Sequence, residues 1–407
     1  LFCGDKSYIE FLKDELISKK FKRNTEIIIK EESDISFSEF KGGIADYDLN
    51  SIIQQCTFTG LPDDNDDVSL KFVTLKPLTG GRSRSNVYRF DATLTNNNID
   101  SVPAVLKISE IDNACKELMN YNKYVKWLLP YTWRVDILGT GFTKNLGGIC
   151  YSFILSNKED FDSLTYYIEI GDDKKIQSVY DSIFSIENQR WYQILSSEIN
   201  ISQRYMKRYF EGNCELEILN FRDNLQQFFK GISYDQNRIM IDGMEFPIPY
   251  DTLFGEPNSQ EFNKCICHGD LNSNNIIVSK NGSILFIDFQ DTGFGHVFED
   301  FIAFESSIRL HYPLELDNAL DYLKNEFCID DKNKSLYNNS YKFHISNVRE
   351  LAFKNFPNEK KANYFYGLAA FSLRLLRLNK LTDTQKIKVS SCLLSSLNLR
   401  DSLINKI

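Results

Sequence analysis

Several things are missing from this sequence, and each absence closes off a class of protein. No apolar run reaches the length needed to cross a membrane. The nine cysteines are scattered, and none forms the C-x₂-C pair of a zinc site. An odd count without framework spacing argues for a reducing, cytoplasmic compartment rather than a disulfide scaffold. Positive charge is not in excess, since 47 Lys and Arg stand against 56 Asp and Glu, for a net of −9. The chain therefore has no general electrostatic pull on nucleic acid or on an anionic membrane, and neither is expected as a partner. Internal repeats and low-complexity tracts are absent, and so is a secretory signal peptide. The chain begins at Leu1 rather than Met, which leaves signals further upstream open.

What is present is globular. Hydrophobic residues make up 42% and charged residues 25%, which fits neither a disordered nor a fibrous chain. With 407 residues, two or three domains are expected. Cys265 and Cys267 are the only close cysteine pair. Residues two apart share one face of a strand, so these small apolar side chains are expected in the core.

Residues 1–66 read as an extension, with a helix at Ser7–Ile17 and a short strand at Thr25–Lys30. The acidic, proline-containing stretch Leu61–Asp67 reads as a linker. The extension is the part of the chain left over for a protein partner. Residues 67–155 read as a β-rich unit. Its strands are expected at Phe72–Leu78, Asn86–Thr95, Ala104–Ile108 and Cys150–Leu155, with one helix from Glu110 to about Leu128. Residues 156–407 read as mainly helical, with segments near 160–185, 190–209, 215–231, 360–379 and 384–405. An Asp-Gly turn predicts a hairpin over Arg238–Phe246.

The most informative stretch is 264–288. A strand ends at Cys267, a polar loop runs from His268 to Asn275, and two apolar strands follow around Asn281-Gly282, a hairpin signal. Such a hairpin is expected to bring Asp270 and Asn275 near Asp288, so that two carboxylates and an amide oxygen converge. This set suits phosphoryl transfer. Magnesium prefers hard oxygen ligands, which Asn275 and Asp288 supply, and Asp270 is left to orient and deprotonate an acceptor hydroxyl.

The pattern His268-x-Asp270-x₄-Asn275, followed by Ile287-Asp288-Phe289, resembles the signature of aminoglycoside phosphotransferases, choline kinases and related kinase-fold enzymes. Gly269 between the histidine and the aspartate resembles the small-molecule branch, as does the run from Asp288 through Gly295 to Asp300. The landmarks cover residues from about 70 to about 400. A more distant similarity is to phosphotransferase-like domains of multidomain bacterial signalling or conflict systems.

The resemblance implies an α+β, two-lobed protein-kinase-like fold with a β-rich N-lobe and a helical C-lobe. It implies an enzyme that uses ATP and Mg²⁺ to move the γ-phosphoryl group to a hydroxyl of a small molecule. It gives His268 and Asp300 the task of bracing the catalytic loop. Lys107 stands mid-strand among apolar residues, where an unpaired charge is costly. The kinase reading has it contact the α and β phosphates and pair with Glu117, since Glu110 lies too close to the strand. The turn containing Gly80, Gly81, Arg82 and Ser83 falls where a phosphate-covering loop is expected. Arg82 and Arg84 either touch phosphate or are solvated. The adenine is expected near Leu155.

Two departures stand out. The turn has no G-x-G-x-x-G, and Asp288-Phe289 is followed by Gln290 rather than glycine. The latter argues against activation-loop switching. Two other readings are a nucleotide-binding regulatory module of a larger assembly and a kinase-fold enzyme acting on protein.

Overall fold

The structure is a computed structural model. It describes residues 29–30, 44, 46–58, 70–78, 85–94, 104–152, 161–185, 190–235, 238–255, 260–329, 339–378 and 380–404. The chain divides into two compact units. One comprises residues 1–127, 131–161 and 285–292, and the other comprises 128–130, 162–284 and 293–407. The expected helix at 7–17 lies outside the described residues.

The first unit is built on a six-stranded sheet in the order β1-β2-β3-β4-β6-β5. The strands are β1 (Ile29–Lys30), β2 (Leu70–Pro77), β3 (Asn86–Leu94), β4 (Ala104–Glu110), β5 (Ile137–Phe142) and β6 (Leu146–Ser152). β1 pairs parallel to β2, and every other pairing is antiparallel. β4, with Val, Leu and Ile side chains, is almost wholly buried and is central, between β3 and β6.

Among the described residues of this unit, the two longer helices are α1 (Asp46–Phe58) and α2 (Ile111–Asn120). α1 precedes the acidic linker in sequence, yet Leu49, Ile52, Ile53 and Cys56 form one core with Leu75, Tyr88, Leu106 and Ile108. It lies directly on β5 and β6 because those strands carry glycine where it crosses. A Cβ on Gly139 would strike the Cys56 backbone, and one on Gly141 would strike the Ile52 backbone. Gln55 closes the sheet edge. Its amide donates to the Phe142 carbonyl (2.9 Å) and accepts from the Phe142 N–H (3.0 Å), as a neighbouring strand would. The expected helix over 110–128 is regular only as far as Asn120 and then loosens into a π-helical turn at Tyr121–Val125.

The second unit is mainly helical. Its helices are α3 (Leu164–Glu169), α4 (Asp173–Ile183), α5 (Ile201–Phe210), α6 (Glu215–Phe228), α7 (Glu299–His311), α8 (Ala319–Phe327), α9 (Asn339–Asn355), α10 (Lys361–Leu375) and α11 (Asp383–Ile404). The expected helix over 190–209 is only half present. Its first part is a 3₁₀ turn and a strand, β7 (Ser196–Ile199), because those residues pair antiparallel with β11 (Glu261–Cys267). The three-stranded hairpin sheet of β8 (Ile232–Asp235), β9 (Arg238–Ile241) and β10 (Met244–Pro247) contains the expected Asp-Gly turn. Asp242 and Gly243 both have positive φ, 50° and 77°, as such a turn requires. Cys265 and Cys267 are fully buried on β11, with sulfurs 3.6 Å apart.

A closed ionic network ties four helices of this unit together. Glu305 of α7 accepts from Arg309 and from Arg349 of α9 (2.9 Å), and it also accepts from the Tyr364 hydroxyl of α10. Arg309 reaches Glu326 of α8 at 3.0 Å, and the Tyr341 hydroxyl donates to the same carboxylate at 3.0 Å.

The fold class expected from the sequence is the one found, α+β with a β-rich and a mainly helical unit. No helix among the described residues is long and apolar enough to cross a membrane.

Candidate active site

The first unit carries Lys107, Glu117 and Asp288 as a connected set. β4 points Lys107 into the interior, where α2 presents Glu117. The Lys107 ammonium donates to Glu117 Oε2 and to Asp288 Oδ1, both at 2.8 Å. Glu117 also accepts from the Tyr151 hydroxyl at 2.6 Å. Burial by itself would lower the pKa of Lys107, but the two carboxylates outweigh it and push the value up, so the ammonium stays charged. Burial and the Glu117 carboxylate together push the Tyr151 phenol well above its ordinary value, so Tyr151 acts as a neutral donor.

Asp288 has φ +64°, a left-handed conformation that is costly for a side-chain-bearing residue and persists where the surrounding structure over-determines it. The residues after it are fastened to α2. Lys116 pairs with Asp291 (2.8 Å), the Asn120 amide donates to the Gln290 carbonyl (2.7 Å), and Gln290 donates to Asn113 (3.0 Å). The buried Phe289 ring meets Tyr121 edge-on at 5.8 Å. Gln290, which stands where a protein kinase carries glycine, is thus spent on holding this segment to the helix.

The second unit carries His268, Asp270 and Asn275. The loop between β11 and the strand Ile276–Ser279 is held mainly by α7. Asp300, buried in the first turn of α7, accepts from the His268 N–H (2.8 Å), the Gly269 N–H (2.9 Å) and the Tyr192 hydroxyl (3.0 Å). Gly269 has φ +82°, which no side chain would favour. Ser307, two turns further along α7, accepts from the Ser273 N–H at 3.0 Å. His268 is fully buried beside Trp191, with ring centroids 6.4 Å apart.

Asp270 is held by two amides. Asn272 donates to its Oδ2 at 3.1 Å, and Asn275 donates to the same oxygen at 3.2 Å and to the Asp270 carbonyl at 2.8 Å. Asn275 therefore spends its amide N–H₂ on Asp270. The turn after Ile276–Ser279 closes as a tight hairpin, with Ser279 N–H donating to Ser283 O (2.9 Å) and Gly282 at φ +87°.

Arg208 of α5 was not singled out by the sequence reading. Its guanidinium donates to the Gly269 carbonyl (2.7 Å) and to Glu299 Oε1 (2.9 Å). Glu299 is buried and also binds Arg204 (3.3 Å). Burial would raise its pKa, but the two guanidiniums hold it below the usual carboxylate value. Nothing in the local sequence separates Arg208 from the solvated basic residues of its helix.

Gly80, Gly81, Arg82, Ser83 and Leu155, the expected phosphate-covering and adenine contacts, lie outside the described residues. Among the described residues, no group of three or more His, Cys, Asp or Glu side chains is arranged to hold a metal.

The sequence pattern of the Phosphotransferase enzyme family (APH) matches residues 250–320, the segment that contains β11, the loop, Asp288 and α7. Over that segment the chain is similar to this phosphotransferase family. No curated protein matches the chain in sequence.

Among solved structures, it is similar to an aminoglycoside phosphotransferase APH(4)-Ia in ternary complex with ADP and hygromycin B. The identity is 12%, the match covers 83% of this chain and 94% of that one, and the TM-score is 0.38. A microcompartment-associated aminopropanol kinase matches at 12% identity over 86% and 97% of the two chains, with TM-score 0.37. An ethanolamine kinase from Plasmodium vivax matches at 13% identity over 85% and 86%, with TM-score 0.35.

Proposed function

We propose that this protein is a phosphotransferase that moves the γ-phosphoryl group of ATP to a hydroxyl of a small molecule, in a Mg²⁺-dependent reaction. The observation that supports it most is the buried Lys107 ammonium held between Glu117 and Asp288. An ammonium fixed in that way is a ready partner for phosphate oxygens.

The donor set suits a magnesium ion. Asp288 offers a partly exposed carboxylate whose Oδ2 takes no hydrogen bond among the described residues, and Asn275 offers an amide oxygen. Both are hard oxygen donors, and two protein ligands are typical where phosphates complete the shell. When bound, Mg²⁺ supplies neutralisation of phosphate charge. Asp270, steadied by Asn272 and Asn275, orients the acceptor hydroxyl and takes its proton. His268 and Asp300 hold the loop. In this reading the phosphate-covering role falls to Gly80, Gly81, Arg82 and Ser83 and the adenine contact to Leu155, all outside the described residues.

Incubation with γ-labelled ATP and a panel of aminoglycosides, choline and ethanolamine tests this directly. Mg²⁺-dependent label on an acceptor supports it. Label that appears only on protein, or only from α-labelled ATP, overturns it.

A further inference from the structure

We infer that Arg208 is a positioning residue for Asp270, acting through the carbonyl of Gly269. Gly269 is gripped from both sides. Asp300 takes its N–H at 2.9 Å, and Arg208 takes its carbonyl at 2.7 Å. That carbonyl shares a rigid peptide plane with the Asp270 N–H, so fixing the oxygen fixes where the Asp270 backbone begins. Glycine at φ +82° has no side chain to resist rotation, so the plane depends on these outside contacts.

Arg208 is itself aimed by Glu299, the residue just before Asp300 on α7, at 2.9 Å. Two consecutive acids of one helix turn therefore govern both faces of the loop, one directly and one through a guanidinium. Asn272 and Asn275 then set the carboxylate of a residue whose backbone is already placed. A planar guanidinium can serve Glu299 and the Gly269 carbonyl together, whereas a lysine ammonium offers a single point of charge. The inference rests on the proposed role of Asp270 in phosphoryl transfer.

The test compares Arg208→Met and Arg208→Lys with the wild type in steady-state turnover and in amide hydrogen exchange over residues 268–272. Arg208→Met is expected to lower kcat about a hundredfold, the scale of a small misplacement at a reacting group. KM for ATP should stay within about twofold. Arg208→Lys should recover part of the loss, and exchange over 268–272 should speed up in both variants. Unchanged kcat in a folded variant overturns the inference, as does a loss confined to KM. If Arg208→Met does not fold, Arg208→Lys decides alone, and full kcat there overturns it. If the wild type transfers no phosphate to any acceptor, the proposed function falls. Exchange then decides the positioning claim by itself, and unchanged protection over 268–272 overturns it.

Discussion

Two buried charge clusters in this chain are built from the same kinds of group and differ in balance and exposure. In the helical unit, Glu305 and Glu326 face Arg309 and Arg349, so two negative charges meet two positive ones. Their side chains are between 0% and 3% exposed, and Tyr341 and Tyr364 take up further lone pairs. In the β-rich unit, one ammonium, Lys107, faces two carboxylates, and the Asp288 side chain is 29% exposed. The first cluster is saturated and sealed, which makes it a fastening between helices. The second has a spare negative charge and an open side, the condition under which a cation and an anionic ligand can be taken up together.

The largest effect that sharpens this contrast is on activity. Asp288→Asn removes the spare charge and should lower phosphotransfer by ~10³-fold or more, while the urea midpoint moves little. Turnover per folded molecule and denaturation, measured side by side, check it. Equal losses in both would make the open cluster structural as well.

The sealed cluster should behave the other way round. Arg309→Met leaves two buried carboxylates with one guanidinium fewer and should cost about 3–5 kcal/mol of stability. Turnover per folded molecule should stay near the wild type. A variant with normal stability would show that the network contributes nothing as a fastening.

The smallest effect comes from Lys388, a buried cation whose ammonium donates to the Tyr312 carbonyl at 2.9 Å. Burial lowers its pKa from 10.5 to about 8, and Glu326 and Glu315 only partly oppose this. Between those two values the unfolded chain holds a proton that the folded chain has released. The group therefore adds stability as pH rises from about 8 to 10.5 and is a liability below that window. The stability of wild type minus that of Lys388→Met should climb across this range and then level off. A flat difference would mean that Lys388 keeps its charge.

Much of this was legible in the chain, for reasons that can be named. Lys107 stands out because a charge amid the apolar residues of β4 demands a partner, and α2 offers few glutamates. The loop at 268–275 stands out because its polar residues interrupt two apolar strands. The hairpin at 238–247 is announced by Asp242-Gly243.

Other features are invisible locally. The Lys107–Asp288 contact joins residues 181 positions apart. β5 hides because Gly139 and Gly141 weaken its strand pattern, and those glycines make sense only once α1 lies on them. β7 looks helical until β11 supplies its pairing partner. Gln55 and Arg208 read as surface polar residues, and only the folded chain reveals the sheet edge and the carbonyl that they serve.

The most direct test of the open cluster as a nucleotide and metal site is calorimetric titration of ATP into the wild type and into Asp288→Asn, each with and without Mg²⁺. Tight binding by the wild type only when Mg²⁺ is present, and loss of that dependence in the variant, is the predicted result. ATP binding that is the same in both proteins and indifferent to Mg²⁺ would contradict it.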